Sequence, residues 1–199
     1  LEDWVCSVHA IQPRSLITFQ EKFKNRLSEP TSSWEGTTGD LSGRGTEEVK
    51  TNDVTGRFRK GEVGFTIDMG RPGVGCYIRD VQTVAMALVK AGLKLEPSST
   101  TPLGIIIKDF TTGEIRDDML EVFVLSIIIE GKCNEKKAEE VLKALKNIEK
   151  NIDTVFSVGL ILRVDKNGHH PLLDKLASLG IAYPYEAKLN PGLGRPLKI

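Results

Sequence analysis

The sequence has few cysteines and few aromatic residues. Its 199 residues include three cysteines, and aromatic residues make up 6% of the chain. Cys6, Cys76 and Cys133 are odd in number and far apart, so they provide neither a disulfide framework nor a CxxC metal or redox pair. This pattern favours a reducing compartment, and we expect a cytoplasmic protein.

An excess of charge and a long apolar run are also missing. Lys and Arg total 27 and Asp and Glu total 27, so the formal net charge is zero and a chain-wide nucleic-acid footprint is excluded. The longest apolar run, near residues 122–129, is too short for the ~20 residues that a membrane helix needs. We see no secretory signal at the start of the sequence. We therefore expect no membrane association and no nucleic-acid partner.

The composition that remains is typical of a folded protein, with 40% hydrophobic and 27% charged residues. Residues 1–56 differ from the rest. Leu16, Phe19, Phe23 and Leu27 form one apolar stripe, which predicts a short amphipathic helix over residues 15–28. Residues 28–56 are polar and rich in Ser, Thr and Gly, which indicates a flexible linker. We expect an N-terminal appendage, 1–56, and a folded body, 57–199.

The body alternates between strand and helix patterns. Two-residue alternation and short apolar runs predict strands over residues 61–69, 103–110, 121–130, 154–164 and 181–189. Helical periodicity and capping residues predict helices over residues 80–91, 135–150 and 171–179. Strands that alternate with short helices need the helices laid against a sheet.

We therefore expect an α+β or α/β fold. The expected form is a two-layer sandwich with ferredoxin-like β-α-β units and helices on one face of a mixed sheet. This order resembles ferredoxin-like and ACT-like regulatory domains in architecture only, and it implies no residue roles.

A glycine-rich loop between a predicted strand and a predicted helix is the first candidate site. Backbone amides of Gly70, Gly73 and Gly75 could bind an anion, with Arg71 and Arg79 adding positive charge. The spacing matches neither G-x-G-x-x-G nor a P-loop, and a simple chain reversal explains the glycines equally well.

Candidate reactive residues flank the same loop. Asp68 ends the preceding strand, and Cys76 ends the loop. Cys76 would need a lowered pKa to act as a nucleophile, and a buried structural cysteine is the ordinary alternative. Cys133, just before a helix cap, has the same two interpretations.

Two further clusters carry weaker signals. His169 and His170 are adjacent on a loop and could ligate a metal, but no other His or Cys lies at ligand spacing. Five carboxylates surround a turn, where charge favours solubility as readily as a function: Asp109, Glu114, Asp117, Asp118 and Glu121. We predict no metal site, and the sequence indicates no particular cofactor.

Three hypotheses follow. The first is a regulatory or interaction domain that binds a small molecule or anion and forms oligomers, since the apolar strands suggest a sheet covered on both faces. The second is an enzyme acting on a phosphorylated or other anionic substrate, with Asp68 or Cys76 as the reactive residue. The third is an accessory subunit of a larger assembly, in which the Phe19 and Phe23 stripe docks on another chain.

Overall fold

The structure is a computed structural model that describes residues 18–28, 57–71, 73–98 and 101–183. The predicted linker after Ser28 and the irregular tail lie outside these residues, as does most of the predicted strand 181–189. Residues 181–183 are described and form no strand. The division into appendage and body stays a prediction.

Helices and strands alternate through the body. The helices are α1 (Phe19–Ser28), α2 (Ile78–Lys90), α3 (Ala138–Ile148) and α4 (Pro171–Ser178). The strands are β1 (Glu62–Met69), β2 (Cys76–Tyr77), β3 (Lys94–Leu95), β4 (Ile107–Asp109), β5 (Glu114–Ile115), β6 (Phe123–Val124), β7 (Ile127–Asn134) and β8 (Phe156–Ile161).

The main sheet has four strands in the order β3-β7-β1-β8. All three neighbouring pairs run antiparallel. The expected mixed sheet is therefore wrong, and the antiparallel sheet with helices places the fold in the α+β class. Helix α2 lies in sequence between the parallel strands β1 and β3, but β7 separates those strands in the sheet. Helix α3 likewise lies in sequence between the parallel strands β7 and β8, which β1 separates in the sheet. Each of the two helices therefore connects strands that have one other strand between them.

A single core lies against one face of this sheet. Alternate β1 residues Val63, Phe65, Ile67 and Met69 are fully buried. They share a hydrophobic cluster with β7, α2 and α3, whose members include Ile127, Ile129, Val81, Val84, Ala85, Leu88, Val141, Leu142 and Leu145. The apolar residues that recur at helical spacing in α2 and α3 thus form the buried faces of these helices.

Helix α1 packs on the body through its apolar stripe. Phe23 and Leu27 are 2% and 5% exposed and belong to the same core. The Gln20 side chain donates to the Asp118 carboxylate over 2.7 Å. In this arrangement the buried part of the stripe is used within the chain rather than for docking on another one.

Three predicted elements differ from the structure. Helix α2 begins at Ile78 rather than at Asp80, which lies buried in its first turn. The predicted strand 103–110 begins instead as a 3-10 helix, Pro102–Ile105, because proline favours a helical first turn, and only β4 follows. The predicted strand 121–130 is split, since its first part pairs with β2 and its second with β1 and β3.

Candidate functional site: the β8 edge and the glycine loop

Strand β8 is an outer strand of the main sheet. It pairs with β1 on one side, and within the described ranges no strand pairs with its other side. Its sequence, FSVGLI, contains no charged residue and no proline. Edge strands are normally protected by charges, proline, bulges or a covering element, because unpaired backbone groups attract other strands. The outer side of β8, called the β8 edge below, lacks the first two protections.

The pairing with β1 shows which backbone groups point outward. The Gly70 N–H donates to the Val155 carbonyl over 2.8 Å at the end of this ladder. Hydrogen-bonded and non-bonded pairs alternate along an antiparallel ladder, so Ser157 and Gly159 face β1. The N–H and C=O groups of Phe156, Val158 and Leu160 therefore point to the β8 edge.

The side chains of these three residues lie on the core side of the sheet. Val158 stands opposite Ile67, and Leu160 stands opposite Phe65. Phe156 and Leu160 pack against the core, while Val158 remains 40% exposed. A strand added at the β8 edge would extend the sheet and bury apolar surface that β8 leaves uncovered.

The glycine loop reverses the chain next to the residues that precede β8. Gly70 and Gly75 have φ values of 80° and 77°, in the left-handed region that favours glycine. The N–H groups of Val74 and Gly75 both donate to the Gly70 carbonyl over 3.0 Å. These amides and that of Gly70 are thus used within the protein. The predicted anion-binding role of Gly70, Gly73 and Gly75 stays a prediction, and Gly73 is the exposed member of the three.

The loop is packed closely between two segments. A Cβ atom at Gly70 would lie 2.8 Å from the carbonyl carbon of Gly75 and 2.9 Å from the Leu125 oxygen. The Thr154 hydroxyl donates to the Gly75 carbonyl over 2.6 Å. Four exposed apolar side chains lie in the segments around the loop, which we call the apolar rim: Val74, Phe123, Leu125 and Val155.

The two candidate arginines contact different ends of the segment 121–126. The Arg71 Nε donates to the Ser126 hydroxyl over 3.2 Å, and its Nη1 lies 3.9 Å from Asp68 Oδ2. Arg79 Nη1 lies 2.7 Å from Glu121 Oε2, with the guanidinium 3.9 Å above the Tyr77 ring. Each arginine has its own carboxylate, so an anion would compete with that carboxylate for the guanidinium.

The candidate reactive residues are both buried. Asp68 is 8% exposed and stands opposite Ser157 across the β1–β8 pair. Cys76 is 1% exposed, and burial together with the nearby Asp80 charge raises the pKa of its thiol to about 12. A protonated, inaccessible thiol is a poor nucleophile at neutral pH. Burial likewise raises the pKa of Cys133, to about 11.

The adjacent histidines are oriented to different partners. His169 Nε2 lies 2.9 Å from Asp174 Oδ2. The buried His170 accepts the Leu172 N–H at Nδ1 over 3.1 Å, which caps α4, and its Nε2 lies 3.5 Å from Glu135 Oε1. Within the described part of the chain, no group of three His, Cys, Asp or Glu residues could hold a metal ion.

The acidic cluster is divided among separate partners. Thr111 donates to Asp109 through its hydroxyl and its N–H, and these bonds hold the pKa of Asp109 below its usual value. Asp117 pairs with Lys108, and Asp118 pairs with Arg116. The carboxylates therefore do not converge on one point.

The β8 edge was missed by sequence reasoning. Residues 154–164 were predicted as a strand, but no pattern assigned that strand to an edge of the sheet. The sequence feature that could have indicated this strand was the run of uncharged residues between Asp153 and Arg163. That run reads equally well as a central strand, because only the strand order distinguishes the two.

No protein-family model matches the chain, and no curated protein or solved structure matches it significantly. Among the residues that the structure describes, no helix has both the length and the apolar character needed to cross a membrane.

Proposed function

We propose that this protein is an interaction domain that assembles by accepting a strand of another polypeptide at the β8 edge. The observation that carries the proposal is the uncharged edge strand Phe156–Ile161, whose outward backbone groups lie at positions 156, 158 and 160. In strand addition, backbone hydrogen bonds provide affinity and alternate side chains provide specificity.

We also propose that the body is a ferredoxin-like two-layer sandwich with its helices on one face. Two features support this: the antiparallel order β3-β7-β1-β8, and helices α2 and α3 connecting strands that are parallel but not adjacent. The buried stripes of both helices share one core with Val63, Phe65 and Ile67. This arrangement places β8 at an outer position of the sheet.

The apolar rim supports an interface beside the strand. Val74 and Val155 are 54% and 42% exposed, and Val155 directly precedes β8. Exposed apolar side chains near an edge strand are typical of interaction surfaces. The glycine loop then serves to hold Val74 at the surface beside β8.

Hydrogen exchange of single backbone amides tests strand addition. The amides of Val158 and Leu160 should exchange slowly at high protein concentration, or with an added peptide of residues 154–163, and rapidly on dilution. Ser157 and Gly159 donate towards β1 and provide internal controls that stay slow throughout. A scrambled peptide should protect none of the outward amides. Rapid exchange of Val158 and Leu160 under every condition would overturn the proposal.

Arg71 supports a second candidate function, the binding of a small anion. Its side chain is 36% exposed, and the nearest Asp68 oxygen, at 3.9 Å, lies beyond hydrogen-bond distance. Its guanidinium can therefore donate hydrogen bonds to a bound anion as well. A thermal-shift titration with inorganic phosphate should stabilise the protein, and Arg71→Ala should abolish that shift while Arg79→Ala preserves it. An unchanged shift in Arg71→Ala would exclude this site.

A further inference from the structure

We infer that the strand accepted at the β8 edge is β8 of a second copy of this chain, paired antiparallel across a two-fold axis at Val158. The inference rests on the proposed function, since it names the partner of the same edge. It also specifies how the two β8 strands align, and this register can be tested independently of strand addition itself.

The outward backbone groups favour this register. In a two-fold antiparallel pair centred on Val158, that residue stands opposite its own copy and Phe156 stands opposite Leu160 of the other copy. All three outward positions then meet outward positions of the partner. Opposed side chains in such a pair lie on the same face, so the two cores would continue into one another on the helix side of the sheet.

The charges that flank β8 select a second copy as the partner. Asp153 and Arg163 lie beyond the two ends of β8, which spans Phe156–Ile161. When pairing extends the strand to these residues in the same register, Asp153 of one copy stands opposite Arg163 of the other, and the two-fold axis repeats this pair. Both residues are exposed. A shift of two residues in either direction separates Asp153 from Arg163. The chain thus carries opposite charges at the same sequence distance on either side of Val158.

The uncharged centre of β8 removes the usual penalty of self-pairing. Around a two-fold axis, a charged residue near the centre meets a like charge, and directly opposed like charges are destabilising. Between Asp153 and Arg163 every residue is uncharged. The polar Ser157 meets the small Gly159 on the face opposite the core. The sequence from Asp153 to Arg163 is therefore complementary to itself in an antiparallel pair.

A charge exchange tests the partner. Asp153→Arg sets two arginines opposite each other twice per dimer, and Arg163→Asp does the same with two aspartates. Each single variant should weaken the dimer about fivefold in analytical ultracentrifugation, and the double variant should recover to within about twofold of the natural protein. If the double variant weakens the dimer by the product of the two single-variant factors, the register is overturned.

Cysteine cross-linking tests the centre of symmetry. In a Cys6→Ser background, Val158→Cys places two thiols opposite each other at a Cα separation of about 5.5 Å, which suits a disulfide. Val155→Cys is the matched control, because Val155 is equally exposed but would stand opposite Ile161. Mild oxidation should give a covalent dimer of the first variant and not of the second.

Hydrogen exchange and cysteine cross-linking together distinguish failure of the register from failure of strand addition. Protection of the Val158 and Leu160 amides, without cross-linking of the Val158→Cys variant, would retain the interaction domain and overturn self-pairing at Val158. A protein that stays monomeric, with both amides exchanging rapidly, would overturn both. Equal cross-linking of the two cysteine variants would indicate non-specific collision and would also overturn the register.

Discussion

Among single residues, Gly70 and Gly73 share a backbone conformation but not an environment. Their φ values are 80° and 66°. A Cβ at Gly70 would approach backbone atoms of Gly75 and Leu125 to within 3.0 Å, whereas a Cβ at Gly73 would meet nothing within 4 Å. Replacing each glycine by alanine therefore separates two contributions to the free energy of unfolding. At Gly73 the loss comes from the left-handed backbone alone, and at Gly70 it also comes from steric crowding.

We expect Gly73→Ala to lower the free energy of unfolding by about 1–2 kcal/mol, the cost of left-handed backbone in a residue with a side chain. Gly70→Ala should cost clearly more, because rigid backbone must also move. Urea unfolding of both variants measures the difference. Equal losses would show that the loop tolerates displacement at Gly70.

Cys76 provides a chemical probe of burial. Its thiol has a pKa raised to about 12 and is 1% exposed, so alkylation requires an opening of the native structure. We expect iodoacetamide at neutral pH to modify Cys76 and Cys133 far more slowly in native than in urea-unfolded protein. Peptide mass spectrometry separates both sites from Cys6. Rapid native modification of Cys76 would restore it as a candidate nucleophile.

At the level of elements, helix α1 depends on tertiary contacts for its stability. It spans only Phe19–Ser28, and isolated helices of this length are marginal in water. Phe23 is 2% exposed, whereas Phe19 is 39% exposed and lies beneath the Arg116 guanidinium at 4.9 Å. Two phenylalanines on one helix thus offer a matched comparison.

Phe23→Ala should destabilise the protein by about 3–5 kcal/mol, because it removes a fully buried ring from the core. Phe19→Ala should cost about 1 kcal/mol or less, since its ring is partly exposed. Thermal and urea unfolding of the full chain measure both. Similar small losses would mean that α1 does not dock on the body and would return the stripe to the accessory-subunit hypothesis.

Across the whole molecule, lowered carboxyl pKa values limit stability in acid. The N–H groups of His169 and Asn167 lower the pKa of Asp165. Burial acts to raise the pKa of Glu62, but the Arg59 N–H and the Lys132 ammonium outweigh it and lower that pKa. The unfolded chain then binds more protons than the native one in acid, so stability falls as pH drops through these values.

Raised thiol pKa values limit stability in alkali for the opposite reason. Native Cys76 and Cys133, with pKa values of about 12 and 11, keep protons that the unfolded chain releases near pH 9. The free energy of unfolding should therefore be highest between about pH 5 and 8. Urea unfolding over a pH series measures the profile, and Asp165→Asn should flatten its acid limb. An acid limb unchanged by that variant would contradict the role of Asp165.

Local features of the chain were readable from the sequence. The predicted helices at α2 and α3 and the predicted helix start at Pro171 are confirmed, because helical periodicity and capping depend on neighbours within a few residues. Strand β1 and the glycine-loop reversal were predicted for the same reason. The alternation of these elements predicted an α+β or α/β fold, and the antiparallel sheet places the fold in the α+β class.

Only the tertiary structure decided which strands are neighbours. The uncharged strand β8 lies at the edge of the sheet, whereas β7, which contains Glu130 and Lys132, lies inside it. Pairing joins residues far apart in the chain, such as Asp68 with Ile128 and Ser157, so no local pattern specifies it. The same long-range packing buries Cys76 and brings Glu121 to Arg79, whereas Asp68 lies only three residues from Arg71. Residue types and periods therefore determined the elements of this protein, and the strand order determined its exposed edge.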